Sequence, residues 1–433
     1  MVRRVCVIAH RWVGLAMAGF LILVGLTGSI LAFNTEIERL CAPQLFARLR
    51  PGESRLDLAT LILRAQEQLP QAQVFGAILT EPDQASLYVA AREDPATGKA
   101  YDLGFNEFFV DPWTGAELGR RRRGDLSQGL VNLPSFIYEL HWTLAIGAAG
   151  QWTLGVLALV WSVDCFVGFY LTLPPTSRRF WRRWRPAWLI KRRAGLYRLN
   201  FDLHRASGLW LWPMLFVFAW SSVMMDIRPA YEWVTQRLFD YKSDVDMFLA
   251  APQGPPHPPQ LDWRAALERG ERLIAEQAAL RDFRAGEPVS LMYFASRNFY
   301  LYEVRGSRDL IERSPKGGGT EAIFDGDSGE LIALRLPTGE RLGNTIESWL
   351  YALHMARVFG MPYRLFVCAL GFVIALLSGT GVYIWWKKRL ARCFHARRGQ
   401  NPPASLRSFP SPAGSAPGRS RSRRDNSPFS TFS

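Results

Sequence analysis

Four of the six histidines lie at or just before apolar runs. They are His10, His141, His204 and His354. An ionisable side chain near a membrane is costly and usually has a function. A neutral imidazole is a good iron ligand, so these four residues carry the most specific chemistry in the chain. The simpler alternative is that they cap helices or lie at a membrane interface.

The four histidines fall into two matched sets. The motif His-Arg-x-x-Gly-Leu occurs at 10–15 and again at 204–209. Counted from the other two histidines, glycine recurs at +6 and +27 and tyrosine at +29, with no gap. These positions are Gly147, Gly168 and Tyr170 after His141, and Gly360, Gly381 and Tyr383 after His354. The spacing indicates that the chain contains two copies of one unit.

The segments between the apolar runs repeat as well. Residues 56–120 and 261–335 each begin with helical periodicity and continue into two strand-like runs. Each contains an Asp-x-x-Thr/Ser-Gly turn, which begins at Asp111 or Asp325. The aspartate is expected to accept backbone hydrogen bonds and the glycine to adopt positive φ. Each unit is therefore predicted to be a helix, an α+β domain and a second helix.

Four apolar runs are long enough to cross about 30 Å of hydrocarbon, which takes roughly 20 residues. They are Val13–Phe33, Trp152–Leu173, Leu209–Met225 and Leu365–Trp386. We therefore predict a membrane α-helical protein with four transmembrane helices in two tandem repeats. The first run also resembles a signal peptide, but its length and the lack of a clear small-x-small cleavage site favour a retained helix.

The net charge of +14 is concentrated in segments that share one side of the membrane if four helices alternate. Arg3 and Arg4 precede the first run, nine basic residues and no acid occupy 174–198, and the basic stretch 387–392 follows the fourth run. The positive-inside rule places both termini and the central loop in the cytoplasm, and the distribution argues against nucleic acid as a partner. Arg120–Arg123 lie on the far side, where they are expected either to attract an anionic ligand or to stay solvated.

Several other kinds of site lack their motifs. The five cysteines form no Cys-x-x-Cys, so neither a disulfide framework nor a zinc or iron–sulfur site is expected. The sequence has no Gly-x-Gly-x-x-Gly after a strand and no phosphate-binding loop of the Walker A type. Nothing in it resembles a hydrolytic triad.

A two-fold axis along the membrane normal would relate the two units. It would bring His10 near His204 at the cytoplasmic face, and His141 near His354 at the opposite face. We expect each pair to hold the iron of one b-type haem from opposite sides of the ring. Two haems, one near each face, would then form an electron path across the bilayer.

Three further residues join this hypothesis. Gly14 and Gly208 lie four residues after their histidines on the same helical face, and they are expected to leave room for a flat ring. Asp164 lies well inside the second apolar run, where an acid is usually functional. It is interpreted either as a proton relay or as a polar partner of Ser221 or Ser222.

The same patterns set the predicted segment boundaries. They are transmembrane helix 1 (1–36), α+β domain 1 (50–124), an interfacial helix with transmembrane helix 2 (136–174), a basic cytoplasmic loop (175–198), transmembrane helix 3 (199–228), α+β domain 2 (229–342), an interfacial helix with transmembrane helix 4 (345–388), and a basic, disordered cytoplasmic tail (389–433).

The repeated order of helix, domain and helix, with "HRxxGL", "LHWTLAIG" and the Asp-x-x-Thr/Ser-Gly turn, resembles the PepSY-associated transmembrane family over about residues 1–395. That family includes iron-regulated inner-membrane proteins and ferric-siderophore reductases of Gram-negative bacteria. The resemblance implies a di-haem protein of the bacterial inner membrane, with periplasmic PepSY-like domains. It also implies that His10, His141, His204 and His354 are the haem ligands.

The expected function is electron transfer from quinol or a cytoplasmic reductase to a periplasmic ferric chelate such as a ferric-siderophore. This would make the protein a haem-dependent oxidoreductase that contacts membrane lipid. The alternative is a non-redox membrane sensor or scaffold, whose PepSY-like domains would bind peptides or proteases. A transporter is a third hypothesis.

Overall fold

The computed structural model describes residues 1–175, 178–193, 195–243, 257–311 and 318–400, with side chains as far as 393. Its α-helices are α1 (Val2–Leu31), α2 (Asn34–Cys41), α3 (Leu58–Gln68), α4 (Leu133–Thr143), α5 (Ala148–Thr172), α6 (Phe180–Trp184), α7 (Leu196–Trp210), α8 (Trp212–Asp226), α9 (Arg228–Leu238), α10 (Trp263–Arg281), α11 (Leu342–His354) and α12 (Gly360–Gln400). Short 3-10 helices cover Pro43–Leu45, Leu126–Gln128, Leu130–Asn132 and Arg185–Trp188.

Three helices in the described ranges are each long and apolar enough to cross a membrane. They are α1, α5 and the Gly360–Cys393 part of α12. The third predicted span is instead a bent pair, α7 and α8, whose axes meet at 68°. Pro213 explains the break, because proline has no N–H to donate to the carbonyl of Leu209 and its ring crowds that carbonyl. The described chain therefore has three continuous candidate spans, and a fourth if the bent pair is counted as one.

The regions predicted as two α+β domains share one antiparallel sheet of eight strands. The strands are β1 (Ala72–Glu81), β2 (Gln84–Ala91), β3 (Glu107–Val110), β4 (Glu117–Arg121), β5 (Ala285–Phe294), β6 (Phe299–Gly306), β7 (Thr320–Asp325) and β8 (Leu331–Arg335). Their order is β4-β3-β2-β1-β5-β6-β7-β8, so each half contributes four strands where the sequence indicated two. The two halves meet where β1 pairs with β5.

The seam between β1 and β5 depends on one glycine. Gly76 lies opposite Met292 in the register and adopts φ +150°. A Cβ added there would come within 2.3 Å of the carbonyl oxygen of Leu291. Only a residue without a side chain allows the two strands to approach this closely.

Helices α3 and α10 pack against the sheet and against each other, and they enclose its largest buried core. Both begin at an aspartate cap: Asp57 accepts a hydrogen bond from the N–H of Thr60, and Asp262 accepts one from Ala265, each at 2.8 Å. The predicted turns are confirmed too. Asp111 and Asp325 each accept two backbone N–H bonds, and the glycine at the end of each turn has positive φ.

Short helices precede the second and fourth predicted spans, as the sequence indicated. Helix α4 ends at Thr143, and the chain turns through Leu144 and Ala145, both with positive φ, before α5 begins. Helix α11 ends at His354 and turns through Ala356 and Phe359, again with positive φ, before α12. Helix α12 continues to Gln400, so residues 389–400 of the predicted tail are helical. Residues 401–433 lie outside the described ranges.

Candidate functional site

The structure brings the four histidines together as the two pairs expected from the repeat. The ring centres of His10 and His204 are 6.2 Å apart, and their planes make an angle of 62°. The ring centres of His141 and His354 are 6.3 Å apart at 65°. The first two residues are called the distal pair below, and the other two the sheet-side pair.

Both separations match those of two imidazoles that bind one metal ion from opposite sides. Each metal–nitrogen bond is about 2 Å long, and the nitrogen lies roughly 1 Å from its ring centre, so the two centres should be about 6 Å apart. In the described residues, no group of three or more His, Cys, Asp or Glu side chains is arranged to hold a metal ion. Each pair therefore offers two imidazoles at the separation that a single shared metal ion requires.

The sheet-side imidazoles are held by hydroxyl groups. Nδ1 of His141 lies 2.9 Å from Oγ1 of Thr27, and Nδ1 of His354 lies 2.7 Å from Oγ of Ser221. Each hydroxyl donates its own proton to a backbone carbonyl, Thr27 to Leu23 and Ser221 to Phe218. The oxygen must therefore accept from Nδ1–H, which leaves the lone pair of Nε2 available to a metal.

The distal imidazoles are held differently. Nδ1 of His10 lies 3.0 Å from both carboxylate oxygens of Asp164. Nδ1 of His204 lies 3.1 Å from the carbonyl oxygen of Leu377 and 3.1 Å from Oγ1 of Thr380. Asp164 thus contacts a histidine, and the polar contact with Ser221 or Ser222 considered from the sequence is wrong.

Glycines on neighbouring helices make room for the rings. A Cβ at Gly168 would lie 3.4 Å from Cε1 of His10, and one at Gly381 would lie 3.4 Å from Cε1 of His204. At Gly28 the distance to Cε1 of His141 would be only 3.1 Å. The repeat pattern indicated that Gly168 and Gly381 are equivalent, but it did not predict their contacts with the imidazole rings. No pattern in the sequence pointed to Gly28.

The two glycines chosen from the sequence lie in more open surroundings. A Cβ at Gly14 would meet nothing within 4 Å, and one at Gly208 would meet only Cδ2 of Leu377 at 3.9 Å. Neither Cβ position contacts an imidazole, and the expected role of Gly14 and Gly208 beside the distal pair stays a prediction.

Burial keeps the sheet-side imidazoles neutral. It lowers the pKa of His141 to about 4 and that of His354 to about 3, because no charged partner compensates for the lost solvent. At neutral pH both rings are therefore in the uncharged form that binds metal ions.

A cavity of about 330 Å³ extends from the sheet-side pair to the sheet. Helices α1, α5, α8 and α12 supply apolar walls at one end, with residues such as Phe20, Leu157 and Ile374. The end beneath the sheet is polar and charged. It is lined by Glu38, Glu81, Glu107, Arg121, Arg123 and Arg357, with Tyr88, Tyr138 and Tyr351.

The basic run Arg120–Arg123 is paired with acids, and Arg120 and Arg122 also remain exposed to solvent. Its ion pairs are Arg120–Glu117 at 2.5 Å, Arg121–Glu107 and Arg121–Glu38 at 2.7 Å, Arg122–Asp102 at 3.5 Å and Arg123–Glu139 at 2.9 Å. The run therefore offers little free positive charge.

A family model described as the PepSY-associated TM region matches residues 7–388. The chain belongs to this family. The membership confirms the resemblance drawn from the sequence motifs, and with the apolar helices it identifies a membrane protein of this family that also carries an antiparallel sheet.

A relative is the protein named "Uncharacterized protein PA4219" of Pseudomonas aeruginosa, which is 25% identical over 272 residues. The match covers 58% of this chain and 63% of the relative, so the two correspond over less than two thirds of the relative's length. That name assigns no activity.

Proposed function

We propose that this protein is a b-type haem protein of the bacterial inner membrane that reduces a periplasmic ferric chelate. It has four spans in two tandem repeats, with the bent pair α7–α8 as the third span and both termini in the cytoplasm. A quinol or a cytoplasmic reductase supplies the electrons. The distal and sheet-side histidine pairs would each hold a haem that supplies one-electron chemistry, and the sheet lies on the periplasmic side.

The observation that carries the proposal is the geometry of the two imidazole pairs. Each pair has the separation expected of two imidazoles that share one metal ion, and each of the four Nδ1 atoms has a hydrogen-bond acceptor. Metal-binding histidines usually have such a second partner, which orients the ring and fixes its tautomer. A non-redox sensor or scaffold gives no reason for all four rings to be held in this way.

The donor set suits haem in particular. Each pair of imidazoles would supply two ligands to the iron, and a porphyrin would supply the others. His10 and His204 would hold one haem, and His141 and His354 the other. When bound, these groups supply reversible one-electron chemistry. The chain itself orients the imidazoles, surrounds the rings with apolar helices and keeps Nε2 unprotonated.

The two pairs are spaced for transfer across a bilayer. His10 and Thr27, which holds His141, lie on the same helix and are separated by seventeen residues. At 1.5 Å per residue this is about 26 Å, close to the thickness of the hydrocarbon layer. His204 and Ser221 have the same spacing in the second half, across the bend between α7 and α8.

A ferric chelate is the acceptor that fits this arrangement best. Ferrous iron binds hard oxygen ligands far less tightly than ferric iron, so a single electron releases the metal. The role of the protein is to hold the haems and to position the chelate near the sheet-side pair.

The test is haem stoichiometry in the purified full chain from haem-replete cells. The pyridine haemochrome assay should give two haems per chain, and the Soret band should shift on reduction with dithionite. His10→Ala or His204→Ala should remove one haem, and His141→Ala or His354→Ala the other. His257→Ala is the matched control, since His257 bonds Asp327 outside the spans and should leave both haems in place. A folded, colourless wild type would contradict the proposal.

A further inference from the structure

Among the described residues at the charged end of the cavity, Arg357 is a cation with no direct ionic partner. Arg121 and Arg123 line the cavity but are already paired with acids. Arg357 lines the same cavity, and within the described ranges no hydrogen bond or ion pair engages its guanidinium. A guanidinium keeps its charge in a protein, so this partly exposed cation is available to an anion that enters the cavity.

The backbone places Arg357 close to the sheet-side pair. It lies three residues after His354, in the turn between α11 and α12. Its N–H donates to the carbonyl of Ala352 at 3.1 Å, which holds the turn against the end of α11. The residue before it, Ala356, has φ 53°.

Nearby acids do not neutralise Arg357 by contact. Glu36 uses both of its oxygens to bind Arg364, at 2.8 and 2.6 Å. Glu81 accepts a hydrogen bond from Thr35 at 3.0 Å and acts on Arg357 only through space. Burial lowers the pKa of the Arg357 guanidinium, because lost solvation outweighs the attraction of Glu81.

We propose that Arg357 binds a carboxylate of the molecule that occupies this cavity. The planar guanidinium can donate two parallel hydrogen bonds to one carboxylate, and the partly buried site strengthens such a pair. The inference rests on the proposed function for the identity of that molecule. The carboxylate belongs either to a propionate of the haem at the sheet-side pair or to an acidic ferric chelate.

The first arm of the test addresses the propionate. It uses the full chain with His10→Ala, in which only the sheet-side pair remains, prepared without haem in detergent; His204→Ala is the second background if the first fails to fold. Binding of haemin and of haemin dimethyl ester, whose propionates carry no charge, is followed at the Soret band. The parent should prefer haemin by about tenfold or more, as expected for a partly buried charged hydrogen bond.

Arg357→Gln should abolish this preference, and Arg357→Lys should retain part of it. Arg122→Gln is the matched control, because it removes the same charge from an exposed side chain outside the cavity lining. The second arm titrates gallium citrate, a redox-silent acidic chelate, onto the haem-loaded wild type and the same variants by calorimetry.

Loss of the haemin preference in Arg357→Gln identifies a propionate as the ligand. If Arg357→Gln keeps the preference for haemin but binds gallium citrate at least tenfold more weakly, the ligand of Arg357 is the chelate. If Arg357→Gln alters neither measurement, the inference is wrong even though the haem sites stand. If no variant binds haemin, the proposed function fails, and gallium citrate titrated onto the haem-free chain still tests Arg357.

Discussion

The two histidine pairs have the same separation but different surroundings. At the sheet-side pair, a hydroxyl group on each half holds the imidazole: Thr27 for His141 and Ser221 for His354. At the distal pair, a carboxylate holds His10, whereas a carbonyl and a hydroxyl hold His204. The two halves of the chain therefore share their histidines, while one set of supporting groups differs between them.

The divergence has a simple origin in the sequence. Asp164 stands 23 residues after His141, and the same position after His354 is Leu377. Because leucine has no polar side chain, Nδ1 of His204 lies within hydrogen-bond distance of the Leu377 backbone carbonyl and the Thr380 hydroxyl instead. A carboxylate makes an imidazole a stronger electron donor than a neutral acceptor does. Under the proposed function, the distal haem should therefore have the lower reduction potential, which favours electron flow toward the sheet.

The largest effect should follow from removing both hydroxyl partners of the sheet-side pair. In the double variant Thr27→Val with Ser221→Ala, both imidazoles lose the groups that fix their tautomer. Haem affinity at this pair should fall by about 10- to 100-fold, which a haemin titration of the haem-free chain measures. Thr380→Val is the comparison at the distal pair. It should weaken binding far less, since the Leu377 carbonyl remains, and an equal loss would contradict the role given to these partners.

A smaller effect should follow from Asp164→Asn, which removes the charge and keeps the shape. The potential of the distal haem should rise, on the order of 60 mV, the one-electron equivalent of a tenfold change in the equilibrium constant. Potentiometric titration of the Soret band measures both haems in one experiment. The sheet-side potential should stay constant and serves as an internal control. If Asp164→Asn leaves the reduction potential of the distal haem unchanged, Asp164 does not make the two haems differ in potential.

The smallest effect should follow from Gly28→Ala, which places a methyl group about 3.1 Å from Cε1 of His141. That distance is tight, so the ring must move by a few tenths of an ångström while haem stays bound. The g-values in the electron paramagnetic resonance spectrum report the angle between axial imidazoles and should shift for the sheet-side haem only. Gly14→Ala makes the same change in open space and should leave the spectrum as it is.

The sequence predicted the histidine pairs from the repeat spacing. If an axis relates two repeated segments, residues at matching positions near that axis lie close together. The spacing from His141 to Gly168 and from His354 to Gly381 indicated which residues are equivalent. It could not indicate what each Nδ1 contacts, because those contacts depend on how helices rotate against one another. The partner of Asp164 was missed for this reason.

Two features of the fold were also missed, each for a physical reason. The apolar run around Pro213 reads as continuous by composition, although proline interrupts the backbone hydrogen bonds. The pairing of β1 with β5 joins segments about two hundred residues apart. Alternation within a strand predicts which face is buried, but it does not predict which edge meets another edge.

The pairing of β1 with β5 joins the two halves of the chain in one sheet. Each imidazole pair takes one ring from each half, and the eight-stranded sheet also spans both halves. A polypeptide of half this length would contain His10 and His141 but neither of their counterparts. It would assemble the same ligand sets only as a homodimer, with strand β1 of two subunits side by side at Gly76.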